Sequence, residues 1–149
     1  MNRKPSAAVS TLLRWREFEE ARASTAFLQR CHETRQALSR MQEAQDALQA
    51  INARREELLA ADSVDLVLLQ AVDSFEAQAW SRLDTRRDEH AAARRQQDAA
   101  QDEHVAARAR TRVAQTRHER LRAGERDQEE KLMFDRMADL YASHRSDRA

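Results

Sequence analysis

One glycine (Gly124), one proline (Pro5) and one cysteine (Cys31) are all that 149 residues hold of these types, and aromatic residues make up only 5%. Each scarcity closes off a class of function. A single glycine cannot build a phosphate-cradling loop, and neither G-x-x-x-x-G-K-S/T nor G-x-G-x-x-G occurs, so nucleotide hydrolysis by this chain alone is not expected. A lone cysteine forms no intramolecular disulfide and fits a reducing compartment, where it reads as a small apolar seam residue. So few aromatics argue against a thick globular core. Neither sign of charge dominates: 26 Lys plus Arg balance 26 Asp plus Glu, which removes the net-charge argument for a polybasic nucleic-acid binder. The longest apolar run, Leu66 to Leu69, is far short of the ~20 residues that cross a bilayer. The N-terminal stretch with Arg3 and Lys4 leads into no apolar signal segment, because Arg14, Arg16 and Glu17 interrupt it. These absences predict a cytoplasmic protein with no direct membrane insertion.

What the chain has is charge, 35% of it, and an apolar or alanine seam that recurs every seven positions. That pattern predicts an all-α fold, a long antiparallel two-helix coiled-coil hairpin with unequal arms, whose function is mechanical or recognitional. In the first half, Leu12, Leu13, Trp15, Phe18, Phe27, Leu28, Cys31, Leu38, Met41, Ala44, Leu48, Ile51, Leu58 and Leu59 follow one another in helical steps, with one expected phase slip between Leu38 and Met41. The pattern pauses at Ala61-Asp62-Ser63. A first helix over about 8–60, a turn at about 60–64 and a second helix over about 64–144 follow, with Asp62 or Ser63 as the expected cap and Asp65 adding charge in the first turn. In the second helix, Leu69, Leu83, His90, Gln97, His104, Thr111, His118 and Leu132 alternate with Val72, Ala79, Ala93, Ala100, Ala107, Ala114 and Leu121. Folding about residues 62 and 63 pairs Leu48 with Ala77, Leu28 with Gln97, Phe18 with Ala107 and Leu12 with Val113, so that large residues face small ones. At ~1.5 Å per residue the helices span about 75 and 120 Å, leaving an overhang from roughly Arg117. Within it Gly124 is an expected bend or fraying point. Leu132, Met133, Met137, Leu140 and Tyr141 form a further stripe with no partner inside the hairpin, open to self-association or to docking on another protein.

Charge sorts along the sequence. From Glu56 to Ser81 there are six acidic residues, Glu56, Glu57, Asp62, Asp65, Asp73 and Glu76, and no Lys or Arg. From His104 to Gly124 there are six arginines, Arg108, Arg110, Arg112, Arg117, Arg120 and Arg122, against Glu119 alone. The hairpin sets this basic band beside Arg3, Lys4, Arg14 and Arg16, predicting an acidic turn end and a basic open end that orient the molecule between two partners. Phosphate contacts at the basic end would be the route to nucleic acid, but no aromatic residue interleaves Arg108 to Arg122 for base stacking, and no nucleic-acid partner is expected. His90, His104 and His118 stand about 21 Å apart along a helix and cannot share a metal, so no metal or other cofactor is expected. A two-helix hairpin offers no concave, water-excluding site, so no enzyme activity and no catalytic residue are expected.

Leu12-Leu13-Arg14-Trp15-Arg16-Glu17-Phe18-Glu19-Glu20-Ala21 near the start and Glu129-Glu130-Lys131-Leu132-Met133-Phe134-Asp135-Arg136 near the end, with the chain's size, charge density and unequal helices, carry a full-length resemblance. The chain resembles the FliJ/YscO/SctO group, the central stalk proteins of flagellar and virulence type III secretion ATPases, including the plant-pathogen Hrp branch. The resemblance implies a stalk like the coiled coil of the rotary ATPase gamma subunit, seated in the pore of the hexameric secretion ATPase and linking it to the export gate. It also implies contact with export chaperones and a cytoplasmic, bacterial location peripheral to the secretion apparatus. By the gamma analogy the end with both termini enters the ring, which assigns ATPase contact to Arg14, Arg16, Arg108, Arg110, Arg112, Arg117, Arg120 and Arg122. Export-gate contact then falls to Asp65, Leu66, Leu69, Asp73 and Glu76 at the turn. The competing expectation is a structural or adaptor coiled coil without an ATPase partner.

Overall fold

The computed structural model describes residues 5–146, with side chains through residue 144, and contains two α-helices, α1 (Pro5–Ala60) and α2 (Leu66–Ser146). They pack against each other as an all-α hairpin with no strand among the described residues. α1 starts at Pro5, earlier than the sequence suggests. Proline suits the first helical position, where its missing N–H is no loss, and the next amide, Ser6 N, donates to Glu125 Oε1 of α2 at 3.0 Å. Residues 61–65 turn the chain. The cap of α2 is neither Asp62 nor Ser63 but Asp65, whose Oδ1 accepts from Val67 N (3.0 Å) and Leu68 N (3.1 Å), so its carboxylate covers two free amides and opposes the positive helix end.

Two compact units divide the chain, one of residues 23–104 and one of residues 1–22 with 105–149. In the first, Ala44, Leu48, Ala79 and Leu83 form a buried cluster against which Met41 and Ile51 pack. Leucines interleave with alanines there, so large does face small, but with other partners than expected: Ala77 is exposed, and Leu48 lies with Ala79 and Leu83. Cross-helix hydrogen bonds fix the same displaced register. Thr34 Oγ1 lies 3.3 Å from the Ala93 carbonyl as well as 2.9 Å from that of Arg30, and Arg30 Nη1 donates to Gln96 at 3.0 Å. The Phe27 ring stacks on His104 at 5° and 6.1 Å, and Leu28, expected opposite Gln97, is exposed. The turn sits later than the sequence pause, and every pairing moves with it. Nor does the phase slip at Leu38: Thr34, Ala37, Met41, Ala44, Leu48 and Ile51 keep an unbroken heptad, because small residues hold the positions that size alone would assign to Leu38.

In the second unit, Val9, Ala107, Thr111 and Ala114 are buried. Thr111 Oγ1 lies 3.1 Å from both the Arg16 carbonyl of α1 and its own Ala107 carbonyl, a shared donor that spans the helices. Leu12, Trp15, Phe18 and Val113 are exposed, so the expected pairs Phe18 with Ala107 and Leu12 with Val113 do not form. The seam keeps Leu13 of the expected residues, half-buried, and takes Val9 and Arg16 with it, one face around from the bulky residues. On α2 the expected heptad is buried or half-buried position by position from Leu69 to Leu121, and it ends before Leu132, which is exposed. α2 runs through Gly124 without interruption, and a Cβ there would meet open space. A solvent-facing helical glycine costs only about 1 kcal/mol, too little to end a helix extended on both sides.

Candidate functional site

The eight arginines assigned to ATPase contact lie in the unit that holds residues 1–22 and 105–149. Arg16 is half-buried and bonded to Glu19 at 2.7 Å, an i,i+3 pair that occupies its guanidinium locally. Arg14 and all six arginines of the α2 band are exposed. They do not form one patch. Arg112, Arg117 and Arg120 line an open groove with Val113, Thr116 and Leu121. Arg108 and Arg122 each follow a seam residue, Ala107 or Leu121, whereas Arg110 and Arg117 each precede one, Thr111 or His118, which puts the two sets on opposite flanks of α2. The groove thus combines apolar side chains with three forked donors, a surface suited to carboxylates carried on a partner with some apolar area.

The acidic turn end is less acidic than its sequence window. Arg55 of α1 reaches across to Asp73 (3.1 Å) and Glu76 (3.4 Å) of α2, and Arg54 holds Glu57 at 2.9 Å. A window opening at Glu56 omits both arginines, which the fold places among the acids. Asp65 caps α2 as described, and Leu69 is half-buried in the seam. Of the five residues assigned to gate contact, Leu66 is the one left fully outward, 74% exposed, beside Val67 at 79%. The end is therefore an apolar tip with partly neutralised acids.

Sequence reasoning missed the exposed aromatics. Trp15 and Phe18 sit on the outside of α1 with ring centroids 5.8 Å apart, and Phe75 and Trp80 are exposed on α2. The signal was available: a heptad traced through Val9, Leu13 and Arg16 leaves Trp15 and Phe18 off the seam. Among the described residues no group of three His, Cys, Asp or Glu side chains could hold a metal ion, and no helix is long and apolar enough to cross a membrane.

A two-helix antiparallel hairpin with outward charged and apolar surfaces is the class of protein these features define. No protein-family model, curated protein or solved structure matches the chain.

Proposed function

We propose that the chain is the central stalk component of a type III secretion system, linking the hexameric secretion ATPase to the export gate and contacting export chaperones. What supports the reading is the resemblance of the Leu12–Ala21 and Glu129–Arg136 segments to the stalk family, on a hairpin of two helices of 56 and 81 residues. The observation that carries the contact is the groove of Arg112, Arg117 and Arg120 around Val113 and Leu121, exposed in the unit that contains residues 1–22. Guanidinium groups held on a helix meet carboxylates of a ring lumen in forked pairs and steer the stalk in. The role is mechanical, and the chemistry is the ATPase's. At the other contact, Leu66 and Val67 supply the apolar area for the gate, and the acids set the sign of the surrounding potential.

The test is binding of the full chain to a hexameric type III secretion ATPase from the same source, and stimulation of that ATPase. Reversing Arg112, Arg117 and Arg120 to Glu is expected to weaken binding at least about tenfold and abolish stimulation while helicity survives, since glutamate is a good helix former. Replacing Leu66 and Val67 by Ser is expected to spare ATPase binding and impair the gate contact. Equal loss of ATPase binding from both variants would sink the two-surface reading. No binding by the unmodified chain would favour an adaptor coiled coil.

A further inference from the structure

Beyond Glu125, whose carboxylate meets Ser6 N, α2 continues to Ser146 with every described side chain through residue 144 exposed. That stretch is not uniformly polar. Met133, Phe134, Met137, Leu140 and Tyr141 are 44% to 74% exposed, and at 3.6 residues per turn they fall within about a third of the helix circumference. Asp135 and Asp139 fall on the opposite side, as do the seam positions Ala114 and Leu121 carried along α2 at the same period. The stripe is therefore not the seam continued. It is a second apolar face, turned away from the side on which α1 packs.

We propose that this face pairs with a second copy of the chain, antiparallel, about a two-fold axis at Met137. The stripe is self-complementary in that arrangement: Met133 meets Tyr141, Phe134 meets Leu140, and Met137 meets itself. Glu130 and His144 cap the two ends of the stripe on the same face, and the antiparallel pair sets each carboxylate against the other copy's imidazole. A parallel pair would set carboxylate against carboxylate, so the charges choose the direction. The five residues expose on the order of 600 Å² per copy, so the pair covers at most about 1,200 Å² in all, a small interface that fits a concentration-dependent dimer. This inference stands independently of the stalk reading.

Sedimentation equilibrium of the full chain tests it. The expected result is a concentration-dependent dimer, and Met137→Glu, which sets two carboxylates against each other at the axis, is expected to raise the dissociation constant at least about tenfold with circular dichroism unchanged. In a Cys31→Ser background, Met137→Cys is expected to cross-link to itself, and Glu130→Cys to cross-link to His144→Cys rather than to another Glu130→Cys. A chain that stays monomeric to ~100 μM overturns the proposal, as does a dimer indifferent to Met137→Glu or one that cross-links 130 to 130. A monomer that captures the ATPase or the gate protein through this face overturns it as well, and gives the stripe to a foreign partner. Reversal of Arg112, Arg117 and Arg120 is expected to leave the dimer intact, so this proposal and the stalk reading fail separately.

Discussion

The seam around Leu83 and the seam around Thr111 follow the same seven-residue rule and are built from opposite materials. Near the turn, Leu48 and Leu83 interleave with Ala44 and Ala79, and Leu83, 1% exposed, is the largest fully buried side chain among the described residues. In the other unit, Ala107, Thr111 and Ala114 are buried and a threonine hydroxyl reaches the carbonyl of Arg16. One seam is held by volume and the other by close approach and a hydrogen bond. The large apolar residues that could have filled the second, Trp15, Phe18 and Val113, stand on its surface. The second unit thus keeps its helices together mostly with small residues and leaves these bulky ones exposed.

The largest loss is expected from emptying the first seam. Leu83→Ala is expected to cost about 2–5 kcal/mol, read as a lower midpoint in urea. A loss below ~1 kcal/mol would mean that the cluster closes over the gap and that volume does not hold this unit. Next in size is overfilling the second seam. Ala107, 2% exposed, has no room for more methylenes, and Ala107→Leu is expected to cost about 1–3 kcal/mol, visible in thermal unfolding. An unchanged melt would show that the helices can move apart there.

A smaller effect separates hydrogen bonding from packing. Thr111→Val keeps the shape and removes the hydroxyl that donates across to the Arg16 carbonyl, leaving that carbonyl only its helical bond, so about 1 kcal/mol is expected to be lost in denaturant titrations. Thr34→Val makes the matching change in the other unit, where Thr34 Oγ1 lies 3.3 Å from the Ala93 carbonyl. A larger loss at Thr34 than at Thr111 would reverse the comparison. The smallest effect concerns Glu33, whose carboxyl is held below the ordinary carboxylate range by the hydrogen bond from Arg30 (2.6 Å) and then by that from Gln29 (3.2 Å). A carboxyl depressed in the folded state adds stability that is complete above the ordinary range and is lost as pH falls through the lowered value. Nuclear magnetic resonance titration of the Glu33 side chain is expected to show a midpoint below that of an unpaired glutamate, moving up in Arg30→Ala. A midpoint indifferent to Arg30 would remove that pair from the account.

Legibility differed between the helices for a physical reason. On α2 the seam residues from Leu69 to Leu121 were readable because alanine, histidine and threonine recur at strict heptad spacing among charged residues, leaving one face for burial. On α1 the bulkiest residues drew attention from the true phase. Leu12, Trp15, Phe18 and Leu28 look like core and are exposed, while Ala37 and Thr34 look incidental and are buried. Size reports what a side chain gains by burial; phase reports whether the helix can bury it. The exposed charged surface was half readable. The arginine band is in the sequence, but its division between two flanks of α2 follows from which neighbours face α1.

By itself the sequence determined two helices, their antiparallel return near residue 62 and the α2 seam, because period, breaker scarcity and a single pause in the pattern are local properties of the chain. Only the tertiary structure decided the register, the residue that caps α2 and the electrostatics of the turn end. Each of these depends on which atoms of α1 arrive beside which atoms of α2. Asp65 rather than Asp62 or Ser63 takes the free amides because the chain turns later than its pattern pauses, and Arg55 meets Asp73 and Glu76 because the return brings residues distant in sequence within ion-pair range.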